Sequence, residues 1–190
     1  MGVALDNQNL CIVTEFCFGG SLFQLLHQDL NVGLSWSQKL TMALDVAKGM
    51  NYLHEAFKTP ILHRDLKSLN LLLTHPIKSQ SDYVCVKITD FGLSRENSVI
   101  NEMMTAHTGT YHWMAPELLN AEKYNHKADV YSYAIVLYEI ITRCTPYQGL
   151  PQPKIANLVV NEKLRPDMNN VPSECPEILK ELMIQCWEHD

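Results

Sequence analysis

Apolar and polar positions alternate in a few short stretches and recur at helical spacing in longer ones. Val3-Ala4-Leu5 and Leu10-Cys11-Ile12-Val13 are apolar runs flanking Asp6-Asn7-Gln8-Asn9, so Met1 to Phe16 reads as a hairpin. Phe18-Gly19-Gly20 breaks the chain, and Ser21 can cap a short helix through Leu22, Leu25 and Leu26. Ser35 and Ser37 are both candidate caps for a longer helix. Its apolar face is expected to hold Leu40, Ala43, Leu44, Ala47, Met50 and Leu53, with Pro60 as the stop. Leu71-Leu72-Leu73 and the alternating Val84, Val86 and Ile88 predict a second hairpin. Residues 90–117 carry little periodicity and read as a long loop, and loops of that length in compact domains usually serve function. Lys127 to Ile141 is apolar on most sides and should form a buried helix. Shorter helices are expected over Lys154 to Asn161 and from Glu174 or Pro176 to about Glu188. The pattern is that of an α+β fold, mostly α with small β hairpins.

Composition narrows the function. The chain has 190 residues, of which 46% are hydrophobic, enough to bury a core and to argue against disorder. A net charge of -6 argues against a nucleic-acid-binding surface. No run of roughly 18 apolar residues predicts a membrane span, and the first residues do not resemble a signal peptide. Gly2 invites a lipidation reading, but Asp6 stands where that motif wants Ser or Thr. The six cysteines form no C-x-x-C pair and sit in apolar surroundings, as expected of reduced, mostly buried thiols in a cytoplasmic protein. His107 and His112 lack metal-ligand spacing.

Three segments carry chemistry: His63-Arg64-Asp65-Leu66-Lys67-Ser68-Leu69-Asn70, Asp90-Phe91-Gly92 just past a strand, and Ala115-Pro116-Glu117 at the end of the long loop. Any of them alone could recur by chance. Taken singly, Asp65 reads as an ion-pair partner of Arg64 or Lys67, Asn70 as a turn residue and Asp90 as a loop cap. Their order, spacing and strand context together match the signature set of protein kinases. The chain resembles a eukaryotic protein kinase of the tyrosine-kinase-like group, serine/threonine type. The resemblance covers essentially its whole length.

That resemblance implies a kinase C-terminal lobe with a remnant of the N-terminal lobe sheet. Residues 1–16 would be the end of that sheet and the hinge, and 17–190 the C-terminal lobe without its last helix. Thr14 would be the gatekeeper. The backbone of Glu15 and Cys17 would bind the adenine of ATP, and Leu72 would lie beneath the ring. Asp65 would accept the proton of the substrate hydroxyl, and Lys67 would meet the transferring phosphate as a point charge. Asn70 and Asp90 would offer oxygens to Mg²⁺, a hard cation. Gly92 would allow the turn that places Asp90. His63 and Phe91 would join an apolar stack, and Asp129 would cap the catalytic loop from inside. Arg64 would receive a phosphate on the long loop, where Thr105 and Thr108 are the best activating sites, modified by an upstream kinase or by autophosphorylation. Thr110 would bond to Asp65 and Lys67.

Lys67 and Gly109-Thr110 fit kinases of serine and threonine, whereas Trp113-Met114 and Cys186-Trp187 are similar to tyrosine kinases. The mixture implies transfer from ATP to Ser/Thr hydroxyls of protein substrates in signal transduction. A Gly-rich loop, a strand lysine and a helix glutamate are expected upstream of Met1, and an arginine partner of Glu117 beyond Asp190. The chain is therefore read as a fragment that is poorly active alone. The alternative is a catalytically inactive kinase-like binding or scaffold module.

Overall fold

The computed structural model describes residues 2–6, 9–91, 94–96 and 111–188, with the backbone alone at 5, 6, 9, 10, 95 and 96. Strands β1 (Gly2–Asp6) and β2 (Asn9–Val13) pair antiparallel, Gly2 opposite Val13. Helix α1 (Leu22–His27) starts at Ser21, whose hydroxyl accepts the Gln24 N–H. Of the two candidate caps for α2 (Trp36–Glu55), Ser35 holds the position. It forms a reciprocal capping box with Gln38, while Ser37 lies inside the helix. The helix stops at Glu55, before Pro60 is reached.

The buried face of α2 differs from the expected one. Met42, Ala43, Val46, Met50 and Leu53 are buried, whereas Leu40 and Leu44 are exposed. Apolar residues occur on more than one side of this helix, so spacing alone did not select the face. Contact with the later helix α4 (Lys127–Thr142) and with β5 (Val86–Ile88) selects it. Gly49 is the point of close approach: a Cβ there would meet Ile88 Cδ1 at 2.6 Å.

A two-residue strand β3 (Ile61–Leu62) leads into the loop containing His63 to Lys67. A single 3₁₀ turn (Ser68–Asn70) then feeds β4 (Leu71–Leu73), which pairs antiparallel with β5, Leu71 opposite Ile88. β3 pairs with β6 (Arg95–Glu96). The long loop thus returns a short strand to β3 and ends in a helical turn, α3 (Pro116–Leu119), instead of running irregularly throughout. Helices α5 (Gln152–Asn161) and α6 (Glu177–Trp187) complete the chain. The thiols are all unpaired, but only Cys175 is buried; Cys11 is exposed and the other four are half-buried. Apolar sequence neighbours did not ensure burial of these side chains.

The core centres on α4, where Ala134, Ile135, Val136, Leu137, Ile140 and Ile141 are fully buried. A Met42→Ala substitution should lower unfolding free energy by about 2–5 kcal/mol through the cavity it leaves. Leu44→Ala, on the exposed side of the same helix, should stay within about 0.5 kcal/mol. Urea denaturation of the two variants measures the difference.

Candidate functional site

The loop between β3 and β4 is short, and its backbone donors need acceptors. Asp129, in the first turn of α4 and 2% exposed, supplies them. Its Oδ2 accepts the His63 N–H and its Oδ1 the Arg64 N–H, each at 2.9 Å. His54 Nε2 lies 2.9 Å from the same Oδ2. The Asp129 carboxylate therefore holds the loop from inside the core, as the resemblance implied.

His63 is fully buried, and both ring nitrogens are engaged. Nε2 faces the Thr89 carbonyl at 3.0 Å, so it carries the proton. Nδ1 is then free to accept the Asp65 N–H at 3.3 Å. This one ring ties the loop between β3 and β4 to the residue before Asp90, and it also stacks obliquely on Phe91 with centroids 5.4 Å apart. Arg64 is in the left-handed backbone region (φ 66°), and Arg64 Nη1 donates to the Tyr124 hydroxyl at 2.8 Å.

Asp65, Lys67 and Asn70 come together. Lys67 Nζ lies 2.9 Å from Asp65 Oδ1 and 2.7 Å from Oδ2, so the ion pair anticipated for Asp65 exists. Asn70 Nδ2 donates to the Asp65 carbonyl and to Asp65 Oδ2, both at 2.9 Å. These bonds fix the orientation of the amide: its nitrogen faces two acceptors, so Oδ1 points away from them. A carboxylate has about four lone-pair sites. Among the described residues, Lys67 and Asn70 are the side-chain donors to Asp65, taking both sites on Oδ2 and one on Oδ1.

Asp90 follows β5 with φ 66°. The backbone turns sharply at Asp90 itself, whereas Gly92, where a turn was expected, lies outside the described residues. The Asn70 carbonyl accepts the Thr89 N–H at 3.0 Å, which ties the segment carrying Asp90 to the one carrying Asn70. Among the described residues, no group of three or more His, Cys, Asp or Glu could enclose a metal ion. The donor set of one amide oxygen and one carboxylate instead fits Mg²⁺, which keeps waters and takes further ligands from phosphate.

On the hinge side, Leu71 and Leu73 enter the core while Leu72, between them, is half-buried on the opposite face of the strand. Gly19 donates its N–H to Leu73, and Leu73 donates to Gly20. A side chain at Gly19 would collide with Leu73 and the His75 carbonyl, so the chain at Gly19 rests closely on β4. Glu15 pairs with Lys87 on β5 at 3.2 Å. Burial, followed by the nearby Glu15 charge, pushes the Cys17 thiol up from its ordinary value. Thr105, Thr108 and Thr110 lie outside the described residues. A pocket of about 500 Å³ lies away from these groups, lined by Glu117, Tyr124, Lys127, Tyr131 and others.

One cluster was missed in the sequence. Glu139 on α4 is fully buried and bonds to His27, Ser68 and Trp113. Its signal was legible: a single acidic side chain late in a helix otherwise apolar on most sides has to be satisfied from neighbouring elements.

Residues 1–190 match the family described as protein tyrosine and serine/threonine kinase. The chain belongs to the protein kinase family. The serine/threonine-protein kinase STY17 of Arabidopsis thaliana is 44% identical over 190 residues, covering 100% of this chain and 31% of that protein. The probable serine/threonine-protein kinase drkC of Dictyostelium discoideum is 43% identical, covering 100% of this chain and 24% of that protein. The human mitogen-activated protein kinase kinase kinase 11 is 39% identical, covering 99% of this chain and 21% of that protein. The kinase chain thus spans less than a third of the length of each.

Asp129→Asn in this kinase chain offers one acceptor oxygen where two backbone donors now bond. The loss should be about 1–3 kcal/mol of stability. Faster amide hydrogen exchange at His63 or Arg64 than at the core of α4 is the expected observation.

Proposed function

We propose that this chain is the catalytic part of a protein kinase that transfers the γ-phosphoryl group of ATP to Ser and Thr hydroxyls of proteins. The observation that carries the reading is the Asp65 carboxylate. Lys67 and Asn70 hold it in place, and among the described residues they leave one lone pair on Oδ1, where a substrate hydroxyl is proposed to bind. Three neighbouring features support it: the Asn70 oxygen turned away from Asp65, the turn at Asp90 and the half-buried Leu72.

In the proposed reaction the substrate oxygen attacks the γ-phosphorus, and its proton passes to Asp65. The new P–O bond forms as the bond to the β-phosphate bridging oxygen breaks, and ADP leaves. Such transfers depend on positioning and charge stabilisation more than on covalent help. Asp65 orients the nucleophile, and Lys67, held within 3 Å of Asp65, meets the charge on the transferring group. Magnesium bound by Asn70 and Asp90 would supply neutralisation of phosphate charge. The backbone of Glu15 and Cys17 would receive adenine above Leu72.

Serine and threonine specificity is supported by Lys67 and by relatives named as serine/threonine-protein kinases. Arg64 and a phosphate on Thr105 or Thr108 form the proposed activating contact. Among the described residues no helix is long and apolar enough to cross a membrane. A cytoplasmic setting is further supported by six unpaired cysteines.

The test is transfer of radiolabelled γ-phosphate by the full-length protein with Mg²⁺. Asp65→Asn should lower kcat by about 10²–10⁴-fold, and Asp90→Asn should abolish transfer. Phosphoserine and phosphothreonine are the expected products. Unchanged rates in either variant, or phosphotyrosine alone, would contradict the proposal.

A further inference from the structure

Glu139 lies where three parts of the chain meet. His27 Nε2, on the last residue of α1, reaches its Oε1 at 2.8 Å. Ser68 Oγ, directly after Lys67, donates to the same oxygen at 2.8 Å. Trp113 Nε1, two residues before Ala115-Pro116-Glu117, donates to Oε2 at 2.7 Å. The Glu139 side chain is fully buried and that of His27 is 7% exposed. Water therefore cannot readily replace a donor that is lost.

The rest of α1 is fastened to the same helix. Arg143, one turn beyond Glu139, donates to the Leu25, Leu26 and Asp29 carbonyls. It thereby satisfies the C-terminal end of α1, where carbonyls have no partner within the helix. His27 is thus held in place relative to α4 by contacts that do not involve its own ring. At the other end of the network, Ser132 Oγ donates to the Trp113 carbonyl at 2.7 Å, so α4 grips Trp113 by both side chain and backbone.

We propose that His27 is a positioning residue for phosphoryl transfer. Through Glu139 it fixes Ser68, and so the angle at which the neighbouring Lys67 and Asp65 are presented. The same carboxylate fixes Trp113, which sets the loop that leads into Pro116. The proposal rests on the kinase reading above and deepens it. It assigns the residue at the end of α1, ten residues after Cys17, a role in the chemical step rather than in nucleotide binding.

Without the imidazole, Glu139 Oε1 keeps Ser68 as its donor inside a dry site, and the carboxylate is free to reorient. Ser68 would then move with it. The consequence falls on kcat, because the groups displaced are those around Asp65. The nucleotide side of the site, at Leu72 and the hinge, is held by separate backbone bonds between Gly19, Gly20 and Leu73.

The experiment compares steady-state kinetics of the full-length protein with its His27→Leu, His27→Gln, Ser68→Ala and double His27→Leu, Ser68→Ala variants. For His27→Leu, kcat should fall about tenfold with KM for ATP within about twofold. Gln places an amide nitrogen about where Nε2 lies, so it should restore kcat to within about threefold. The loss in the double variant should be smaller than the product of the single losses, since both act through one carboxylate. Unchanged kcat, a loss seen only in KM, no rescue by Gln or multiplicative losses would overturn the role. Should the Leu variant fail to fold, His27→Asn replaces it: a methylene shorter than Gln, it should lose kcat where Gln keeps it, and equal rates would overturn the proposal. A wild-type protein that transfers no phosphate would refute the kinase reading itself. An active wild type with an unaffected His27→Leu variant would remove the positioning role alone.

Discussion

Two carboxylates inside a buried helix organise this structure. Asp129 and Glu139 sit ten residues apart on α4, about 15 Å along its axis, and both are almost wholly shielded from water. A buried carboxylate is costly unless donors surround it. No such donors come from the apolar side chains of α4, so neighbouring segments must bring them. Asp129 draws in the backbone of His63 and Arg64 together with His54. Glu139 draws in His27, Ser68 and Trp113. The segment from His63 to Ser68 is consequently held at both ends by one rigid element, and Asp65 lies between the two attachments.

This arrangement lets short irregular segments place polar groups accurately. Arg64 and Asp90 both adopt positive φ, an uncommon conformation for side-chain-bearing residues. Each is stabilised by neighbours: the Arg64 N–H by Asp129, and the residue before Asp90 by bonds from Thr89 to Asn70 and to the buried His63 ring. The neutral tautomer of His63 is set by the carbonyl it faces, which leaves the other nitrogen to accept from Asp65. The Asp65 carboxylate is then oriented through its own side-chain bonds to Lys67 and Asn70.

Much of this was readable in the chain. The apolar stretch of α4, the alternation in β5 and the caps at Ser21 and Ser35 reflect local patterns, and local patterns survive folding. The face of α2 was misread because its burial is decided by α4 and β5, which lie far away in sequence. The site motifs named Asp65, Lys67, Asn70 and Asp90, and the structure brings the first three into direct contact. The positive φ of Asp90 gave no signal in the sequence, because glycine is its usual bearer. His27 and Ser68 gave no signal of their own: a histidine at a helix end and a serine in a motif are ordinary until Glu139 is seen between them. Burial of the cysteines was overestimated because apolar sequence neighbours do not ensure a buried side chain.

The central claim is that the α4 carboxylates hold a loop built to position ATP, magnesium and a hydroxyl. A crystal structure of the full-length protein with Mg²⁺ and a non-hydrolysable ATP analogue tests it most directly. The account predicts metal coordinated by Asn70 Oδ1 and the Asp90 carboxylate, adenine over Leu72, and the terminal phosphate facing Asp65 and Lys67. Nucleotide bound elsewhere, or at this site with Asn70 and Asp90 both turned away from the metal, would contradict it.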